Sequence, residues 1–150
     1  MTTLKVGDKA PEFTGVNQKG EMINLKDFKG QKVVLFFYPK ASTPGCTAQA
    51  CDLQNNLDRF TAKNYQIVGV SADSQKRQLN FANKNNINYS LLADEDKTII
   101  NAYGVWGPKK FMGREYEGIH RTTFLINEEG TITEVISKVK TKAHTDQILK

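Results

Sequence analysis

Residues 32–51 read KVVLFFYPKASTPGCTAQAC. Val33 to Tyr38 is a short apolar run rich in β-branched and aromatic residues, the composition of a buried strand. Thr43 then suits a helix N-cap, and Pro44 suits the first helical position, where its missing N–H is not needed. Gly45 follows, so Cys46 falls in the first turn of a predicted helix running to about Lys63. A capping box would put Glu or Gln at that slot, and a thiol stands there instead. First-turn N–H groups have no intrahelical partner and the helix dipole favours negative charge, so a thiolate is stabilised at that place. A strand passing directly into a helix is one half of an α/β unit, and it decides how the rest of the chain is read.

Working outward, 66–72 (QIVGVSA), 122–126 (TTFLI) and 131–139 read as further strands, the last two joined by the turn NEEG. Segments 74–86 (SQKRQLNFANKNN) and 94–105 (DEDKTIINAYGV) read as helical. The start, 13–25 (FTGVNQKGEMINL), reads as a hairpin turning at Gln18-Lys19-Gly20. Strand–helix–strand units require parallel pairing and the late hairpin adds antiparallel pairing, so the expected architecture is α/β, a mixed sheet with helices on its faces. Residues 103–118 (YGVWGPKKFMGREYEG), rich in glycine and basic residues, read as a long loop, and long loops in compact domains are often functional. The end, HTDQILK, supports only a short final helix.

At 150 residues, the chain is expected to form one domain, 1–150, with a core of useful size. Its 39% hydrophobic and 25% charged content is that of a globular protein. The stretch MTTLKVGDKAPEF lacks the apolar core of a secretory leader, and no apolar run has the length of a membrane span, which points to the cytoplasm and away from membranes. The net charge of +5 is spread over scattered lysines, with no basic stripe or motif for nucleic acid.

Cys46 and Cys51 are the two cysteines of the chain. In a reducing compartment such a pair is catalytic, redox-sensing or metal-binding more often than structural. The plainest alternative is burial, since free cysteines often do nothing but fill space, and Cys51 beside Ala50 could be the buried face of a helix. For Cys46 the place after a strand, opening a helix, favours chemistry, because α/β proteins carry their sites at the C-terminal ends of parallel strands. A zinc set of Cys46, Cys51, His120 and His144 has the wrong spacing, and there is no C-x-x-C of the thioredoxin kind.

The stretch PKASTPGCTAQAC resembles the active-site segment of the peroxiredoxins, specifically the bacterioferritin-comigratory (Q-type) group. The segments VGDKAPEF, FFYPKASTPGCTAQAC, VGVSAD and GIHRTTFLI follow one another in family order, so the resemblance runs nearly end to end. It implies a thioredoxin-like fold with an N-terminal extension, and a thiol peroxidase reduced by thioredoxin or a similar dithiol protein. By position, Cys46 would be the peroxidatic cysteine and Cys51 the resolving one. Thr43 would set its hydroxyl on the thiolate and the peroxide. Arg121, in GIHRTTF, would lie beside Cys46. Pro39 would shield the sulfur from bulk water, with Gly45 and Gln49 supporting the pocket. His120 would point away from the site. The resemblance further implies a monomer and calls for no metal, haem or flavin cofactor.

If Cys46 and Cys51 share one continuous helix, five residues turn the chain by about 500° and advance it ~7.5 Å, which leaves the Cα atoms ~8.7 Å apart. A disulfide needs Cα atoms within about 7 Å and converging Cβ vectors. Bond formation would therefore require the first turns to unwind, and Gly45 with the small residues Thr47, Ala48 and Ala50 would make that opening inexpensive. Two other readings compete: a redox-switched binding module that uses the pair as a sensor, and a structural protein with inert thiols.

Overall fold

The computed structural model describes residues 2–150. Five strands form the central sheet: β3 (Lys32–Phe37), β4 (Tyr65–Ser71), β5 (Ser90–Ala93), β8 (Thr122–Ile126) and β9 (Ile132–Ile136). Their spatial order is β5-β4-β3-β8-β9. β3 pairs in parallel with β4, and β4 with β5. β8 pairs antiparallel with β3 on its other edge, and β9 with β8. The sheet is thus mixed, as expected. β1 (Thr14–Val16) and β2 (Met22–Asn24) form the N-terminal hairpin.

β3 lies in the middle and is buried on both faces. Its side chains alternate with the period of two that a pleated strand imposes. Val33, Leu35 and Phe37 enter one core, with the N-terminal hairpin and helix α4 (Thr98–Ala102). Val34, Phe36 and Tyr38 enter the other, beneath helices α1 (Pro44–Asn55), α2 (Leu57–Ala62), α3 (Gln75–Asn85) and α5 (His144–Ile148). Gly69 of β4 lies under this second face, where a Cβ would stand 2.8 Å from the Phe36 ring. A side chain there would push the strand layer apart.

Four expectations are corrected. The helix expected over 43–63 is two helices that part at Asn56. The Asn56 side-chain amide donates to the Asp52 carbonyl at 2.7 Å, and its backbone N–H turns to Leu53 instead. Asparagine side chains compete with the helical ladder in this way. The helical reading of 94–105 shrinks to α4, which opens where Asp94 accepts the N–H groups of Ile99 and Ile100 at 3.2 and 2.8 Å. The long loop at 103–118 is mostly a β-ribbon: β6 (Trp106–Phe111) pairs with β7 (Arg114–Ile119) around Met112 and Gly113, both at positive φ. Gly107, Pro108 and the run of lysines masked the strand signal, and Pro108 is tolerated because a two-stranded ribbon is all edge. The last strand is also shorter than the 131–139 expected.

Candidate active site

The C-terminal end of β3 delivers Tyr38 and Pro39 to a tight turn, and α1 starts at Pro44. Ser42, in that turn, has φ +65°. Thr43 holds the N-cap place in extended conformation, and the first helical bond runs from Thr47 N–H to the Thr43 carbonyl at 2.8 Å. The Thr43 hydroxyl does not cap the helix; it donates to the Lys40 carbonyl at 2.8 Å. The hydroxyl expected on the sulfur is therefore turned back into the turn that carries it.

Cys46 is 1% exposed and sits in the first turn with its sulfur against Arg121. The Arg121 guanidinium donates through Nη2 to Cys46 Sγ at 3.3 Å and through Nη1 to Gln49 Oε1. Arg121 comes from the junction of β7 and β8, 75 residues along the chain, and is brought here because β8 lies beside β3. Gln49, one turn after Cys46, is fully buried, and its Nε2 has no partner. Gly45 gives the guanidinium room, since a Cβ there would stand 3.3 Å from Nη2.

Lys109 of β6, which no sequence motif singles out, also lies close to the site. Its ammonium donates to the Ile119 carbonyl at 2.9 Å. Burial holds its pKa below the ordinary lysine value, repulsion from Arg121 adds to that, and attraction to Cys46 opposes it. Lys109, Trp106, Ile119 and Pro39 line a cleft of about 350 Å³ between the ribbon and the turn. No local motif marks Lys109, because its relation to Cys46 exists only once the ribbon folds over the strand ends.

Cys51 is half-buried on the same helix, with Sγ 3.6 Å from Asn85 Oδ1 of α3. Both cysteines are free thiols. α1 is continuous from one to the other, so the spacing argument against a direct bond applies as the helix stands. Cys46, Gln49 and Ala50 are all buried, and the Tyr89 hydroxyl donates to the Ala50 carbonyl at 2.9 Å. Opening the helix must give up these contacts, which makes it costlier than the small residues alone suggest.

The histidines lie elsewhere. His120 Nε2 is 2.9 Å from the Pro108 carbonyl. His144 is buried between Thr123 and Gln147 at 2.8 Å on each side. Among the described residues no group of three or more His, Cys, Asp or Glu could hold a metal ion, and no helix is long and apolar enough to cross a membrane.

The arrangement is a buried thiol under a fixed guanidinium donor, which can stabilise the charge that leaves sulfur during attack on an electrophile. The profile of the AhpC/TSA family matches residues 6–135. Peroxiredoxin Bcp of Escherichia coli K12 is 47% identical over 149 residues, 99% of this chain and 96% of its own. Among solved structures, PrxQ of Xylella fastidiosa, a cysteine-to-serine mutant, superposes with a TM-score of 0.93 at 29% identity, covering 99% of this chain and 95% of its own. The bacterioferritin comigratory protein of Xanthomonas campestris, studied for its alkyl peroxide reduction activity, gives 0.88 at 32% identity, with 99% and 95% covered. With that agreement along the whole chain, and a thioredoxin-like peroxiredoxin fold around the thiol, the chain belongs to the AhpC/TSA family, among the Bcp/PrxQ peroxiredoxins, and is a peroxidase.

Proposed function

We propose that this peroxidase reduces hydrogen peroxide and organic hydroperoxides to water and alcohols through Cys46, with Cys51 as its resolving partner and thioredoxin or a similar dithiol protein as reductant. The observation that carries the reading is the 3.3 Å contact of Arg121 Nη2 with Cys46 Sγ in the first turn of α1. The Cys46 thiolate attacks one peroxide oxygen in line. The O–O bond breaks, the other oxygen leaves as hydroxide or alkoxide and takes a proton, and sulfur, oxidised by two electrons, becomes a sulfenic acid. Negative charge moves from sulfur to the leaving oxygen, and the Arg121 guanidinium and first-turn N–H groups are fixed donors along that path. Thr43 joins them once its hydroxyl turns from Lys40 to the peroxide. Pro39, Gly45 and Gln49 shape the pocket: Pro39 limits water, Gly45 admits the guanidinium and Gln49 orients it.

Resolution forms the Cys46–Cys51 bond. The Cys51 thiolate attacks the Cys46 sulfur and the sulfenic oxygen leaves as water after protonation. Since the helix keeps the two sulfurs apart, residues 43–51 unwind first. The helix beyond stays fixed, because the Asp52 carboxylate accepts Thr145 N–H at 2.7 Å and Gln54 Oε1 accepts Asn88 N–H at 2.8 Å. The reductant's two thiols become a disulfide and restore both cysteines. The protein works as a cytoplasmic monomer in this reading.

The test is steady-state peroxide turnover with thioredoxin, its reductase and NADPH, compared among wild type, Cys46→Ser and Cys51→Ser. Sustained turnover by wild type and none by Cys46→Ser is the expected result. Consumption that halts at one equivalent in wild type would instead identify a redox-switched binding module.

A further inference from the structure

The turn that presents Cys46 is held from below by a carboxylate that neither the motif nor the mechanism uses. Asp73 follows β4, and its side chain is 5% exposed. Its Oδ2 accepts the Ala41 N–H at 2.7 Å and the Ser71 hydroxyl at 2.8 Å. Ala41 lies between Pro39 and Thr43, next to Ser42 at φ +65°. A non-glycine residue in that region costs roughly 1–2 kcal/mol, so the turn needs outside support to persist. Within the turn the Thr43 hydroxyl donates to the Lys40 carbonyl, and the Thr43 carbonyl accepts the Thr47 N–H of the helix that follows. Asp73 supplies the tie from beyond β4.

The carboxylate is itself fixed by a buried chain of hydrogen bonds. Gln78 Nε2 donates to Ser71 Oγ at 3.0 Å and to the Leu92 carbonyl at 2.8 Å. The Tyr38 hydroxyl donates to Gln78 Oε1. Burial pushes the Tyr38 phenol far above its ordinary range, so it stays a donor at any working pH. Tyr38 is the residue before Pro39. The network thus grips the turn where the chain enters it, at Tyr38, and at its middle, at Ala41, and ties it to β4, β5 and α3. Each polar atom of the chain named here has a partner, the condition under which a buried network rigidifies a site.

We propose that Asp73 is a positioning residue of the peroxide site: its carboxylate oxygen holds the Pro39–Thr43 turn where Cys46 and Thr43 meet the peroxide. The claim rests on the peroxidase reading. During resolution the same anchor keeps the turn in place while the helix after it opens, so that Cys46 has a fixed pocket to return to.

The experiment is the second-order rate of Cys46 oxidation by hydrogen peroxide in Asp73→Ala and Asp73→Asn, each beside alkylation of Cys46 by iodoacetamide. Alkylation needs a reachable thiolate but no aligned peroxide donors. Asp73→Ala is expected to slow peroxide oxidation by about ten- to a hundred-fold, the scale of an ångström-level misplacement. Its alkylation rate should stay within about threefold of wild type, under 1 kcal/mol of barrier. Asp73→Asn keeps an acceptor oxygen in place and should stay within about threefold for both reagents. If Asp73→Ala does not fold, Asp73→Glu takes its place, keeping the charge but misplacing the oxygen, with the same slowing expected. A folded Ala or Glu variant that oxidises at the wild-type rate overturns the proposal. So does a parallel loss of alkylation, or an Asn variant as slow as Ala. A slow wild-type reaction with peroxide would strike at the peroxidase reading itself, whereas the ratios among variants strike only at Asp73.

Discussion

Asp52 and Thr145 are joined twice: the Asp52 carboxylate accepts the Thr145 N–H at 2.7 Å, and the Thr145 hydroxyl donates to the Asp52 carbonyl at 3.2 Å. Asp52 directly follows Cys51, so α5 is docked just past the second cysteine of α1. The C-terminal segment thereby pins α1 from Asp52 onward to the core around Leu53 and Ile148. Asp52→Ala removes the half-buried acceptor and leaves the N–H of the buried Thr145 unpaired. We expect a loss of about 1–3 kcal/mol, the usual penalty for such an orphan. Urea unfolding of the reduced protein measures it, and an unchanged midpoint would show that the link carries no stability.

Arg121→Ala should slow the first oxidation of Cys46 by roughly ten- to a thousand-fold, the scale for losing one transition-state donor. Folding should survive, since the guanidinium is only half-buried and its partners are Cys46 and Gln49. Stopped-flow oxidation by hydrogen peroxide is the measurement. A rate equal to wild type would remove Arg121 from the pocket chemistry.

Cys46→Ser should abolish turnover while leaving the fold intact, because a serine hydroxyl is not ionised near neutral pH and the sulfur it replaces lies in a close-fitting core. NADPH oxidation in the coupled assay reads this directly. Activity surviving in that variant would move the attacking group to another residue.

His144 makes stability depend on pH. Gln147 Oε1 can only accept, so the ring carries its proton on Nδ1 and accepts at Nε2 from the Thr123 hydroxyl. Burial, the leading cause, holds the His144 pKa below its ordinary value of 6.5. The unfolded chain therefore binds a proton more readily than the fold. The stabilising contribution is complete above the unfolded value near 6.5 and is lost as pH falls from there through the lower folded value. Urea midpoints taken between pH 7.5 and 5.5 should fall with pH in wild type. They should fall less in His144→Gln.

Much of the fold is legible in the sequence. The apolar runs, Thr-Pro-Gly before Cys46 and the NEEG turn mark the central strands and the start of α1, because each is a local signal with a local cause. Arg121 beside Cys46 was visible only through family likeness, since two segments 75 residues apart meet through β-sheet pairing. The β6–β7 ribbon was missed because Gly107, Pro108 and the lysines carry little β-propensity, and register with the partner strand rather than composition makes the pairing. Lys109 and Asp73 were missed for a related reason. Lys109 lines the cleft beside Pro39 from β6, and Asp73 accepts the Ala41 N–H from beyond β4, contacts that exist only in the folded chain.

The proposed cycle requires α1 to unwind before Cys46 and Cys51 can bond, and hydrogen exchange across residues 43–51 in the reduced and disulfide forms tests it most directly. Faster exchange is expected in the oxidised form over that span, with protection retained from Asp52 onward. Equal protection over residues 43–51 in the two redox forms would contradict it.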